Sequence, residues 1–175
     1  MTIPEASRRV VDAGLLLGFD VDIHLFPEGT KTSQDAADAI GCELSAIAKS
    51  IVLTLDGKEQ VVVFASGDTC ISLERLAAVT GAVSAWRATL VEARAATGFA
   101  AGGTPPFGHS TPLRLFADVA LQRHDDVWSA GGTPTTVFPI PLQTLVALTG
   151  ARWIEVGEPV GSNQEIPPNP VDGVG

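Results

Sequence analysis

Lys49 is one of only three lysines in the 175-residue chain, and it stands in the stretch IAKSIVLTL. Strand alternation places it on the same face as Ile47, Ile51, Leu53 and Leu55. A charge on an apolar stripe has two readings. Either the stem covers apolar surface while the head reaches water, or the ammonium sits at the mouth of a cavity, where it can bind an anion or polarise an oxygen. A second stretch, TGFAAGGTPPFGHSTP over 97–112, holds four glycines and three prolines and no Asp, Glu, Lys or Arg. Glycine admits positive φ and close approach of a ligand or another backbone, while proline fixes φ and removes a donor. The result is a stiff loop with amides to offer, either as an ordinary crossover or as a platform for a ligand. His109, His124 and Asp125 are the materials for a Ser-His-Asp site, but loop histidines are commonly not catalytic, and no such site is expected.

Helix and strand signals alternate around these stretches without an internal repeat. Thr2-x-x-Glu5 reads as a capping box for a helix reaching Gly18, and Val21, Ile23 and Leu25 alternate with polar residues as a strand. Thr32-x-x-Asp35 opens a second helix closed by Gly41. The residues IAKSIVLTL, Asp56-Gly57 and QVVVFA predict a β-hairpin at the centre of the sheet. Ser72 caps a short helix ending at Gly81, and Thr89-x-x-Glu92 opens another that ends at Gly98 and feeds the glycine-rich loop. Apolar runs at 113–117, 127–129 and 136–140, a helix over 142–149 and a final strand RWIEV complete the pattern. This irregular interleaving predicts an α+β fold, not a doubly wound one. From Gly157 onward four Pro, four Gly, three acids and no Lys or Arg mark a tail. The expected division is one domain over 1–156 followed by that tail over 157–175.

Eleven Lys and Arg against twenty Asp and Glu leave a net charge of −9. That balance disfavours gripping a long phosphate backbone, though not one end of a nucleic acid. Cys42 and Cys70 lack C-x-x-C spacing, and no cluster of metal-ligating residues is spaced as a site, so neither a metal nor an organic cofactor is expected. Without a signal-peptide pattern or a membrane-length apolar run, the expectation is a soluble cytoplasmic protein, monomeric or homodimeric.

The ordered series GCELSAIAKSIVL, VVVFASGD, TGFAAGGTPPFGH, LFAD and VWSAGG resembles the YbaK family, the prolyl-tRNA synthetase-associated editing domain, over about residues 28–156. The resemblance implies a mixed, mostly antiparallel, barrel-like sheet surrounded by helices. It also implies an aminoacyl-tRNA deacylase acting without a protein nucleophile, water or the substrate's own hydroxyl or thiol attacking the ester. The implied partners are the CCA end of a mischarged tRNA and an aminoacyl-tRNA synthetase.

The family's strand-initial lysine falls on Lys49, its G-x-x-x-P loop on Gly102 to Pro106, its acidic residue on Asp118, and its pocket-closing small residues on Ser129, Ala130 and Gly131. On this reading Gly102 and Gly103 bring amides to the ester, where preorganised donors stabilise a tetrahedral oxyanion. Pro105 and Pro106 hold the loop, and Lys49 anchors a phosphate or ribose of the CCA end. Asp118 either positions the ammonium or the substrate amine, or caps backbone amides. Pro105 stands where many members carry Ser, so Thr104 is the available hydroxyl. Ser50 stands where alanine-clearing members carry Asn. Small residues closed off by Phe107 and Trp128, with His109 nearby, suit a small amino acid such as Ala, Cys or Ser. The alternative is a non-catalytic module of the same fold that binds tRNA, a synthetase or a small ligand.

Overall fold

The computed structural model describes residues 2–159. Its central unit is the hairpin of β2 (Ala48–Leu55) and β3 (Glu59–Ser66), turned at Asp56 and Gly57, both with positive φ (52° and 66°) as a tight hairpin turn requires. Every residue from Val61 to Ala65 is fully buried, because the strand is covered on both faces and so reads as an unbroken apolar run. Around the hairpin lie β5 (Ala85–Arg87), β6 (Arg114–Asp118) and β9 (Arg152–Ile154), in the order β5-β2-β3-β6-β9. The β2 pairings are antiparallel, whereas β3–β6 and β6–β9 are parallel.

A second, antiparallel sheet runs β1-β8-β7, from His24–Leu25, Thr136–Pro141 and Asp126–Ala130. A single parallel bridge between Ile47 and Trp128 joins its edge to the start of β2. The expected α+β domain is thus found, but the sheets do not close into a barrel: among the described residues a single bridge links the two edges.

Alternate residues of the hairpin feed two cores. Val52, Val62 and Phe64 pack with Phe99, Phe107, Phe138 and Leu145, while Leu53, Leu55, Val61 and Val63 pack with Leu76, Phe116 and Ile154. Each such side chain, fully buried, contributes roughly 1.5–3 kcal/mol. The helices are α1 (Glu5–Leu16), α2 (Ser33–Ile40), α3 (Leu73–Thr80), α4 (Leu90–Thr97) and α5 (Leu142–Thr149). None is long and apolar enough to cross a membrane. Capping boxes form at Thr32–Asp35 and Thr89–Glu92, and Ser72 caps α3, as the sequence predicts. The box predicted at Thr2 does not form. Pro4 is the N-cap of α1 and no side chain caps it, since proline presets φ for entry into a helix.

The tail boundary also shifts. Gly157–Pro159 form β10, antiparallel to β4 (Thr69–Ile71); the remainder of the predicted tail lies outside the described residues. Asp118 secures this last crossing. Its Oδ1 accepts from the amides of Val156 (2.9 Å) and Gly157 (2.8 Å), and its Oδ2 from Ala120 (3.2 Å). A Cβ on residue 157 would collide with the carboxylate, so glycine is needed for the close approach. Because an amide offers one acceptor oxygen and presents N–H groups where the carboxylate presents its second oxygen, Asp118→Asn is expected to destabilise the fold by about 1–3 kcal/mol. Urea denaturation measures it, and an unchanged midpoint would contradict the latch.

Candidate functional site

Where the two sheets diverge, a cavity of about 90 Å3 opens, with Lys49, Ser50, Gly102, Thr104, Ser129 and Ala130 among the residues that line it. It exists because β5 covers β2 only over Leu53–Leu55. The edge of β2 from Ala48 to Ile51 is left without a strand neighbour on that side.

Lys49 lies on the face of β2 that carries Leu53 and Leu55, as alternation predicts. Its Nζ donates to the Thr69 carbonyl at 2.6 Å, its one hydrogen bond among the described residues. Burial pushes the ammonium below the ordinary lysine value, nearby Cys70 and Asp68 oppose that shift, and Arg87 adds to it. Asp68 is itself held by Arg123 at 2.6 and 2.9 Å and by the Ser66 hydroxyl at 2.8 Å. The ammonium therefore leans on a neutral oxygen and keeps two N–H donors, an arrangement receptive to an anion. Asp118 takes the second of the roles open to it: it accepts from the amides of Val156 and Gly157 at the β9–β10 crossing and of Ala120, and it does not line the cavity.

The glycine-rich loop divides in two. Gly102, at φ +84°, and Thr104 line the cavity, and among the described residues neither amide has a protein acceptor. Gly103 differs. Its amide donates to Ala100 O at 3.1 Å, and a Cβ there would lie 2.6–2.7 Å from the backbone of Thr133. Gly103 is thus where the loop packs on the β7–β8 turn, not a free donor. Pro105, Pro106 and Phe107 are buried away from the lining, with Phe107 tilted against Phe138 at 5.8 Å. Gly131 likewise lies outside the lining, its amide bonded to Thr136 O at 2.8 Å. Of the two aromatics expected to close the pocket, only Trp128 reaches it, set edge-on to His24 at 5.1 Å.

The β7–β8 turn is held by hydroxyls. Ser7 of α1 donates to Thr136 Oγ1 (3.0 Å), which lies 2.8 Å from Thr133 Oγ1. Both the amide and the hydroxyl of Thr30 donate to Pro134 O. That anchor lays Thr30 and Lys31 along the cavity, residues that nothing in their local sequence marks. Their neighbour Thr32 carried a signal in its capping box, since a capped helix start fixes the path of the chain before it.

An open groove of about 750 Å3 continues from the cavity, and Lys31, Lys49, Ser50 and Gly102 line both. The groove adds Arg87 and Arg94, and among the described residues no Asp or Glu lines it. Four of the chain's eleven Lys and Arg therefore converge on one surface of a molecule of net charge −9. Single residues could not announce this, because Arg87 and Arg94 sit on different elements and meet only through the β2–β5 pairing and the course of α4.

His109 turns into its own loop, its Nε2 2.8 Å from the Pro105 carbonyl, which requires the proton on that nitrogen. His124 instead pairs with Ser45 Oγ at 2.7 Å, and Glu43 approaches the same Nε2 at 3.8 Å. Among the described residues no acid thus orients the opposite nitrogen as in a catalytic triad. Burial holds the His109 ring below the ordinary histidine value of 6.5, the Pro105 bond opposing it. The unfolded chain then binds this proton more readily, so the stability is complete above about pH 6.5 and declines as pH falls toward the lowered folded value. His109→Gln keeps a donor to Pro105 without titrating. Between pH 7.5 and 5 the wild type is expected to lose more stability than this variant, compared by denaturant midpoints; parallel losses would contradict the assignment.

Similarity to known proteins bears on the family and the fold. Residues 27–148 match the aminoacyl-tRNA editing domain. YwhH of Bacillus subtilis (strain 168), an uncharacterised protein, is 29% identical over 139 residues, covering 77% of this chain and 86% of YwhH. A crystal structure of a candidate trans-editing enzyme for prolyl tRNA synthetase superimposes with a TM-score of 0.84 at 35% identity, covering 90% of this chain and 99% of the other. The hypothetical protein APE2540 shares the fold, with a TM-score of 0.76 at 24% identity over 82% of this chain and 95% of the other. With a family match across most of its length and a cavity built around Lys49 and Gly102, the chain belongs to the aminoacyl-tRNA editing domain family.

Proposed function

We propose that the protein is a trans-acting aminoacyl-tRNA deacylase that hydrolyses the ester of a tRNA mischarged with a small amino acid, the class formed by Ala, Cys and Ser. The observation that carries this reading is the continuity between the small cavity and an acid-free basic groove, with Lys49 on the wall of both. An aminoacyl ester has this duality: a compact side chain on one end and a phosphodiester chain on the other. The kinship with a candidate trans-editing enzyme for prolyl tRNA synthetase supports it.

In this reading the amino-acid side chain enters the cavity between Ala36, Ala130 and Trp128. The terminal phosphates lie along Lys31, Arg87 and Arg94, and the Lys49 ammonium takes a phosphate or ribose oxygen with the donors that Thr69 leaves free. Water attacks the ester carbon, the tetrahedral oxyanion draws on the amides of Gly102 and Thr104, and collapse breaks the bond to the ribose oxygen. That oxygen takes up a proton to become a hydroxyl, and the amino acid leaves as its carboxylate. Preorganised donors of this kind are each worth roughly 3–4 kcal/mol. Four cations gathered on one groove would let an acidic protein hold tRNA by its acceptor end, since only that end needs neutralising.

Lys49→Ala is expected to melt no lower than the wild type, because it removes a desolvated charge, while deacylation falls by ~30- to 1000-fold. Lys49→Arg restores little, because a planar fork does not replace a compact ammonium. Deacylation across a panel of mischarged tRNAs tests this. Near wild-type rates in Lys49→Ala would defeat the assignment, and tRNA binding without hydrolysis would favour a non-catalytic module. Arg94→Ala is expected to raise KM and to flatten the slope of log affinity against log salt by about 0.7.

A further inference from the structure

Two side-chain oxygens, Ser50 Oγ and Ser129 Oγ, are buried without a hydrogen-bond partner among the described residues, and both residues line the same cavity. Ser129 is 1% exposed. They come from different sheets: Ser50 pairs with Phe64 across the central hairpin, Ser129 with Phe138 in the β7–β8 ladder. A buried hydroxyl left unpaired costs about 1–3 kcal/mol, and native structures leave few of them. Alanine at either position would avoid that cost, and Ala36, Ala48 and Ala130 already line the walls. Both orphaned hydroxyls therefore belong to residues in the wall of one small cavity, the place where a ligand can supply the missing partner.

The partner's chemistry follows from what else lines the cavity. Among the described residues that line it, only Lys31 and Lys49 are ionisable and none is a carboxylate. The α-ammonium of an aminoacyl ester would be repelled there and finds no acidic partner, so it points away from the two serines, out to solvent. What suits the two hydroxyls is a neutral group that both donates and accepts, on a body of few atoms. A methyl group offers neither function, and a thiol offers both weakly.

We infer that Ser129 and Ser50 read the side-chain hydroxyl of the aminoacyl group, so that the cavity selects a seryl ester over an alanyl or cysteinyl ester. This inference rests on the deacylase reading and narrows it to one member of the small-amino-acid class. A site that hydrogen-bonds a substrate hydroxyl rejects the analogue lacking it, because its own polar groups are then left unpaired.

The test is deacylation by the full-length chain of one tRNA charged in turn with serine, alanine or cysteine, together with calorimetric binding of the non-hydrolysable seryl and alanyl amides of 3′-amino-3′-deoxyadenosine. Wild type is expected to favour the seryl ester by about 10- to 100-fold in kcat/KM and the seryl amide by a similar ratio in affinity. Ser129→Ala should bring both ratios toward one and melt no lower than the wild type, whereas a purely structural serine would lower the melting temperature. Ser50→Ala should reduce the ratios in part. Hydrolysis of alanyl ester at or above the seryl rate, or a Ser129→Ala variant that lowers all three rates by one factor, would overturn the inference while leaving the deacylase reading intact. Preferential binding of the seryl amide without hydrolysis of any ester would uphold the inference and remove the deacylase reading. Equal binding of the two amides without hydrolysis would remove both.

Discussion

The Lys49 ammonium, bonded to the Thr69 carbonyl, is the contact to which much of the architecture is subordinate. A buried cation needs a counter-charge or a dipole, and here the nearby carboxylate of Asp68 is drawn off by Arg123. What remains is a neutral oxygen. That oxygen is held in place because β4 pairs with β10, and β10 is secured by the carboxylate of Asp118. A chain of structural contacts, none in the cavity, thus keeps the cation where an anion can meet it.

The glycine-rich loop is governed by a comparable economy. Thr97, Phe99 and Phe107 are buried beneath it, Arg9 stacks over Phe99 at 4.4 Å, and His109 ties back to Pro105. These contacts immobilise the segment without using the cavity-facing amides. Gly103 permits backbone packing against Thr133, and Gly102 supplies the positive φ that turns the chain along the cavity. Two adjacent glycines therefore meet different demands, one for close approach and one for conformation.

Charge distribution completes the arrangement. A protein of net charge −9 repels polyanions on the whole, whereas the groove gathers Lys31, Lys49, Arg87 and Arg94 with no Asp or Glu among its described lining residues. The focused field orients an anionic ligand as well as attracting it. The unpaired hydroxyls in the cavity wall then act at short range, where a hydrogen bond counts for more than in water.

Local sequence determined what depends on neighbours along the chain. Capping boxes at Thr32 and Thr89, the Ser72 cap, the Asp56-Gly57 turn and the span of α5 were all legible, because each rests on interactions within four residues. Alternation along β2 placed Lys49 on its apolar face, and the order of motifs identified the family. Tertiary structure decided the rest. Of the two roles open to Asp118, beside Lys49 or on backbone amides, the structure has it on amides, a choice made where β10 pairs with β4. Gly103 and Phe107 turned to packing because Thr133 and Phe138, distant in sequence, lie against them. Lys31, Arg87 and Arg94 became one groove, and Ser50 and Ser129 one cavity, only where two sheets meet at the Ile47–Trp128 bridge and part again. No periodicity within one segment can encode that meeting, because its energy comes from burying faces of separate strands against a shared core.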